Sequence, residues 1–358
     1  MNRLSLFGIP LSLGLGLALL LWLLPGAPVD AALNDEFDRL DQRTPGRLGV
    51  YVKRLDDGEL AEHDAERPWY LASAIKVPVA IAVLQLVQEG QLNLNDELQL
   101  RDGDRVDSTG GLVWAAAGSR YSLTTLLREM LRNSDSTAAD MLIRRVGEDE
   151  LNRRVQQMSP SGFGRITTLL QVRYDVYGEL HEKAAGLSNR DILQIASVPP
   201  GDERLELLAE ALGVERGQLK LGTLREAYER YYRRGLNSST LPAYATLLER
   251  LVRGELLDAE RQAQLFAFMG EDEYHDYRLQ AGLPQGLPFI QKTGTQYRSA
   301  CHMGVIRPEP VVEATVVVAC VEDANQDEEA PSVLEAVGEA VYRAQQEVAQ
   351  QPAEQGRS

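Results

Sequence analysis

The chain reads as an α+β protein in which one sheet, assembled from both ends of the sequence, carries an all-helical lobe inserted between its strands. Three observations predict this. Strand-like text occurs at both ends: "GRLGVYVKRLDDGELAEHDAE" early, and "PFIQKTGT", "ACHMGVIR" and "EATVVVACV" late. The middle carries apolar residues at helical spacing, as in "YSLTTLLREMLRN", where Leu123, Leu126, Leu127, Met130 and Leu131 share a face. The length, 358 residues with 44% hydrophobic side chains, is enough to bury a large core.

Taken in order, the first residues, "MNRLSLFGIPLSLGLGLALLLWLLPGAPVDAALN", combine a positive charge at Arg3 with an apolar run and then Pro, Gly and small residues, the pattern of an export signal. The run from Leu4 to Leu24 is long for a cleaved signal and just long enough to span a bilayer, although Pro10 divides it. Residues 1–31 therefore read as a signal cleaved near Ala31 or as an uncleaved N-terminal membrane anchor. In either case the acidic flank "NDEFDRLD" places the working part in the periplasm or beyond it, secreted or tethered to the inner membrane.

Next come a short polar helix in "NDEFDRLDQR", two strands around the Asp56-Asp57-Gly58 turn, and an apolar helix from Ser73 in "YLASAIKVPVAIAVLQLVQEG". A helix over Tyr121–Asn133 and another in "TAADMLIRRVG", ending at Gly147, follow. Between about Arg173 and Thr240, "SNRDILQIASV", "DERLELLAEALG" and "TLREAYERYYRRG" read as two or three short helices, the last with a capping box at Thr223 and Glu226. After the late strands, "SVLEAVGEAVYRAQQEV" reads as a closing helix before a polar tail at 347–358.

Composition narrows the function. The excess of 53 acidic over 37 basic side chains argues against a nucleic-acid partner, because a phosphate backbone requires clustered cations and "RYYRR" is too short to supply them. His63, His181, His275 and His302 lack ligand spacing, and neither HExxH nor CxxC is present, so no metal and no other cofactor is expected. Cys301 and Cys320 flank a hairpin whose turn lies near Glu309 and Pro310. They read either as a disulfide, which an exported protein can keep, or as two small buried apolar residues. The chain is expected to act as a monomer on a small molecule.

Ser73 and Lys76 stand one helical turn apart, so their side chains share a face. A serine hydroxyl is a poor nucleophile at neutral pH and needs a base within hydrogen-bond reach. A buried lysine, its charged form desolvated, can be that base, and the N–H groups of a helix N-terminus can stabilise negative charge. An isolated SxxK is more often a capped helix with its lysine in solvent. Two further stretches change that reading: Ser134-Asp135-Ser136 between two helices, and Lys292-Thr293-Gly294 on a strand.

With these three motifs in this order, the chain resembles the class A β-lactamases and, more widely, the penicillin-binding D,D-peptidases, from about Gly49 to Arg343. The resemblance implies a catalytic domain over 32–346, with an antiparallel five-stranded sheet flanked by helices and a helical lobe over about 71–285. It implies that Ser73 is the acylated nucleophile, Lys76 its base or proton relay, and Ser134 the group that passes a proton to the leaving nitrogen. By the same likeness Lys292, Thr293 and Ser136 meet the substrate, Gly294 lets backbone pack closely against it, and the N–H groups of Ser73 and Thr295 form an oxyanion hole. Such donors contribute about a hundred- to a thousandfold in rate.

The sequence departs from the family at two places. Ser136 stands where the family has asparagine, and a hydroxyl is shorter and offers one donor instead of two. The family's deacylating glutamate, in an omega-shaped loop, has no evident counterpart: matching Glu179-Leu180-His181 to the end of its pattern puts Tyr177 in the glutamate's place. A phenol is a poor base for water near neutral pH. The loop also holds an insertion over about 173–240, from which Glu179, Asp175 or Glu229 are the remaining candidate bases. Losing a positioned base costs about a hundred- to ten-thousandfold in the step it serves. Three functions fit these residues: a β-lactam hydrolase, slow or with a relocated base; a D,D-peptidase or related amidase acting on peptidoglycan stem peptides; and a penicillin-binding sensor that is acylated without turnover.

Overall fold

A computed structural model describes residues 30–58, 60–107, 109–271 and 276–355. The export segment expected over residues 1–31 lies almost wholly outside them, as does His275. Among the described residues no helix is long and apolar enough to cross a membrane, and no group of His, Cys, Asp or Glu could hold a metal ion.

The chain begins with α1 (Ala31–Arg43), capped by Asp30, whose carboxylate accepts the Leu33 N–H. Then follow β1 (Arg47–Arg54), β2 (Leu60–His63), the two-residue β3 (Trp69–Tyr70) and α2 (Lys76–Gln88). The helical lobe adds β4 (Glu97–Gln99), β5 (Arg120–Ser122), α3 (Leu123–Arg132), α4 (Ser136–Val146), α5 (Glu148–Met158), α6 (Leu169–Leu180), α7 (Asn189–Ala196), α8 (Asp202–Leu212) and α9 (Leu224–Tyr232). The two-residue β6 (Ser238–Ser239), α10 (Leu241–Val252), α11 (Ala259–Gly270), β7 (Phe289–Gln296), β8 (Ser299–Ile306), β9 (Thr315–Glu322) and α12 (Glu329–Gln355) complete it.

The predicted sheet is present: five antiparallel strands in the order β2-β1-β9-β8-β7. β1 pairs along its whole length with β9, Arg47 opposite Glu322, so the first strand of the sheet is completed by the last. Alternation along β9 divides the core. Val316, Val318 and Cys320 face α2 and the helical lobe, while Val317, Ala319 and Val321 face α1 and α12. Cys301 and Cys320 lie opposite each other on β8 and β9 and are joined as a disulfide.

Three local expectations need correction. Ser73 does not begin the α-helix: it lies in a 3₁₀ turn over Ala72–Ile75, and α2 starts at Lys76. The closing helix runs on to Gln355, through Pro352 and into the stretch expected to be tail. The helical stretch expected from about residue 173 starts earlier, with α6 at Leu169. Its base is clasped by Asn237, whose side-chain oxygen accepts the Thr167 N–H at 2.9 Å and whose amide donates to Thr167 Oγ1 at 3.0 Å. Between these residues α6 to α9 form a third core of their own, built on Val176, Tyr177, Leu208, Tyr228 and Tyr231. Two members of that core, Tyr70 and Ala72, come from outside the insertion, next to Ser73.

Candidate active site

The turn carrying Ser73 is fixed from three sides. The Leu71 N–H donates to Asn237 O at 2.9 Å, which ties β3 to the end of the insertion. The Tyr244 hydroxyl, from α10, donates to Ala74 O at 2.8 Å. On the third side, a Cβ at Gly294 would stand 2.1 Å from Leu71 O and 3.2 Å from Ala74 N. Gly294 therefore lets β7 pack against the turn itself, a close approach of protein to protein and not only of backbone to ligand. Ala72 adopts a left-handed backbone (φ 47°), held beside the hydroxyl by this packing.

Lys76 is fully buried at the head of α2. Its amine donates to Ser73 Oγ at 2.9 Å and to the hydroxyls of Ser134 and Ser136 at 3.2 Å each, with a further bond to the Ser134 carbonyl. The three serines are thus gathered around one amine, although Ser134 and Ser136 lie about sixty residues further along the chain. Asp135, between them, caps α4 by accepting the Ala138 N–H, and its other oxygen takes the Leu112 N–H, which fixes the loop forming one rim of the cleft. Ser134 is itself left-handed (φ 52°), so its hydroxyl is aimed by the backbone.

β7 supplies the opposite wall. Lys292 is fully buried, whereas Thr293 and Thr295 line a cavity of about 660 Å³ together with Ser73, Ser134 and Ser136. The sequence motifs did not reveal Arg278. It lies in a 3₁₀ turn well upstream of the KTG stretch, is almost fully buried, and donates to Gly294 O, Cys301 O and Thr295 Oγ1 at 2.9 Å each. A guanidinium held against Thr295 adds positive charge beside the threonines of the cavity. No spacing rule links Arg278 to the motif; only the fold brings them together.

The candidate bases do not reach this cleft. Tyr177 is fully buried in the core of the insertion, where burial pushes its phenol well above the ordinary tyrosine range. Glu179 lies on the same helix outside the cavity lining. Asp175 pairs with Arg234 and Glu229 with Arg225. The reason is structural: the text matched to the omega pattern is an ordinary helix, α6, whose residues from 174 onward turn into the insertion's own core.

What faces the cavity from the start of α6 is Leu169, with Val172 and Arg173 behind it. The backbone N–H groups of Leu169 and Leu170 donate to the buried carboxylate of Asp140 at 2.7 and 2.9 Å, fixing this end of α6 to α4. Burial raises the Asp140 carboxyl to about 7 against the pull of those two donors. Two acids line the cavity, Asp107 and Asp327, and Asp107 is gripped through both oxygens by Arg173 at 2.7 Å.

The sequence profile of the β-lactamase enzyme family matches residues 31–345. A β-lactamase of Mycobacterium tuberculosis is 26% identical over 280 residues, covering 78% of this chain and 74% of its own. The β-lactamase OXY-2 of Klebsiella oxytoca is 24% identical, covering 83% and 85%. Among solved structures, an acyl-enzyme complex of a leucine-to-glutamate variant of PBP-A with penicillin G superposes with a TM-score of 0.68 at 20% identity, covering 90% of this chain and 100% of its own. A variant of the reconstructed last common ancestor of Gram-negative class A β-lactamases gives 0.64 at 21%, covering 88% and 98%. These neighbours share the β-lactamase/transpeptidase-like fold. With a profile spanning nearly all the described residues, the chain belongs to the β-lactamase enzyme family and is a serine hydrolase of the β-lactamase type.

Proposed function

We propose that Ser73 is acylated by β-lactams and that the acyl-enzyme is hydrolysed slowly. Ser73 Oγ attacks the lactam carbonyl carbon while its proton passes to the Lys76 amine. The N–H groups of Ser73 and Thr295 receive the developing oxyanion, and Ser134 delivers a proton to the departing nitrogen. Thr293, Thr295 and Lys292, backed by Arg278, hold the substrate carboxylate, and Ser136 contacts its amide side chain more weakly than an asparagine would. In deacylation, water must add to the acyl carbon and surrender a proton, and the wall from which a base should reach that water presents Leu169. Lys76 is then the nearest acceptor.

The observation that carries this reading is the combination of an amine 2.9 Å from Ser73 Oγ with an apolar residue at the deacylation wall. Time-resolved intact mass spectrometry with benzylpenicillin tests it. A penicilloyl adduct on Ser73 that forms within seconds and decays over minutes or longer supports it; an unmodified Ser73, or an adduct that never accumulates during rapid turnover, overturns it.

A second reading is favoured by the same leucine: a D,D-peptidase acting on peptidoglycan stem peptides also passes through an acyl-serine and has no need of rapid β-lactam release. Release of terminal D-alanine from a muropeptide separates the two. Both substrates fit the exported location, periplasmic or membrane-tethered, that the N-terminal sequence suggests. A fusion of residues 1–31 to alkaline phosphatase tests that location, since the reporter becomes active only outside the cytoplasm.

A further inference from the structure

Beside Tyr70 lies a second cavity, of about 510 Å³, formed where the insertion meets the ends of β1 and β9 and the turn between β7 and β8. Five guanidinium groups line it, from Arg47, Arg67, Arg225, Arg233 and Arg298, against three carboxylates, from Glu229, Glu322 and Asp323. The lining thus carries two more positive than negative charges in a chain whose net charge is −16, with Asp64, outside the lining, also paired to Arg67 at 3.6 Å. The three carboxylates are already shared. Glu322 lies between Arg47 and Arg67 at 3.2 and 2.7 Å. Asp323 serves Arg47, Arg225 and Arg298 at 3.5 to 3.8 Å, and Glu229 is held by Arg225 at 2.7 Å.

Donors remain over. Nη1 of Arg67 and Nε of Arg298 are buried without a hydrogen-bond acceptor, their ion-pair partners Asp64 and Asp323 standing 3.6 and 3.8 Å away. Tyr232 and Tyr297, both half-buried and packed on the buried Tyr70 and Tyr228, add aromatic surface to the lining beside these cations. The cavity thus joins charge-assisted donors for an oxyanion to aromatic surface for a flat or ring-shaped body.

It is also joined to Ser73. Tyr70 and Tyr297 line both cavities, and the Tyr232 hydroxyl donates to Tyr297 O at 2.7 Å. Glu322, the carboxylate an incoming anion would compete with, accepts the Tyr70 N–H at 3.5 Å, three residues before Ser73.

We propose that this cavity is a second binding site, for a small oxyanion-bearing ligand with a ring, and that its occupancy is felt in the backbone of the Ser73 turn through Tyr70. The full chain is titrated by calorimetry with glucuronate, with glucose as its uncharged twin and with inorganic phosphate as the bare oxyanion. Glucuronate binds at least tenfold tighter than either, and binding weakens at least tenfold in Arg67→Ala and in Arg233→Glu, the latter at an exposed rim position where packing is untouched. Hydrogen exchange of the Tyr70–Ile75 backbone slows at least threefold when glucuronate is bound. Equal binding of glucuronate by wild type and Arg233→Glu, or of glucuronate and glucose by wild type, overturns the site. Phosphate binding as tightly as glucuronate overturns the ring requirement, and unchanged exchange overturns the link to Ser73. None of these readouts depends on acylation, so failure of this inference is distinguishable from failure of the proposed function.

Discussion

The cleft is made by two regions of different character. The wall carrying Ser73, Lys76, Ser134 and β7 is held largely by backbone: a carbonyl and an N–H that leave no room for a Cβ at Gly294, and left-handed residues at Ala72 and Ser134, to which the Lys76 amine adds bonds to three serines. The wall made by the insertion is held by side chains, through a core of tyrosines and leucines closed at its base by one asparagine. The first arrangement admits little change without losing its geometry. The second can be rebuilt residue by residue as long as its core stays filled, and the expected base is missing from it.

The largest effect that tests this contrast is at Ser73. Ser73→Ala should abolish the penicilloyl adduct completely while leaving the melting temperature nearly unchanged, read by intact mass and thermal unfolding; an adduct surviving elsewhere would break the assignment of chemistry to the backbone-held wall.

Next comes Leu169→Glu, which places a carboxylate in the side-chain-held wall. The acyl-enzyme lifetime should fall by about a hundredfold, the lower end of what a positioned base contributes, with the acylation rate little changed. An unaltered lifetime would mean that this wall does not limit deacylation.

Asn237→Ala opens the clasp, removing two bonds to Thr167 and one to Tyr231 from a fully buried site. It should cost about 1–3 kcal/mol in chemical denaturation and raise proteolysis within 167–237, leaving the rest of the fold resistant.

The smallest effect is one of pH. Burial raises the Asp140 carboxyl from 3.8 to about 7, so its protonated form suits the folded state and its contribution to stability is full below about pH 4 and lost as pH rises through 7. Asp140→Asn should remove that component, narrowing the difference in melting temperature between pH 5 and pH 8 by a few degrees. An undiminished difference would place the titration elsewhere.

The sequence disclosed the backbone-held wall because its chemistry is written in short spacings. Ser73 and Lys76 must be one turn apart, Ser134-Asp135-Ser136 must sit at a helix cap, and Lys292-Thr293-Gly294 must lie on a strand. The sheet was legible through strand-like runs at both ends, although the exact partner of each strand was not.

The side-chain-held wall was misread for a physical reason. "TTLLQVRYDVYGEL" was aligned on a glutamate-leucine pair, whereas the constraint that places it is the carboxylate of Asp140 accepting two N–H groups at the start of α6. That contact spans about thirty residues and depends on a buried acid that nothing in the local text announces. Arg278 and the Asp107–Arg173 pair were invisible for the same reason, since each acts through a partner distant in the chain.

The pairing of β1 with β9 has a consequence for how the molecule comes into being. Residues 275 apart, Arg47 and Glu322, must meet before the sheet exists, and the first strand has only β2 beside it until the last has arrived. Contacts so distant in sequence form slowly, because the entropy of closing the loop is lost before the pairing returns it. The five-stranded sheet is therefore completed only after the C-terminal strands have been made, and synthesis of the chain precedes closure of its central layer.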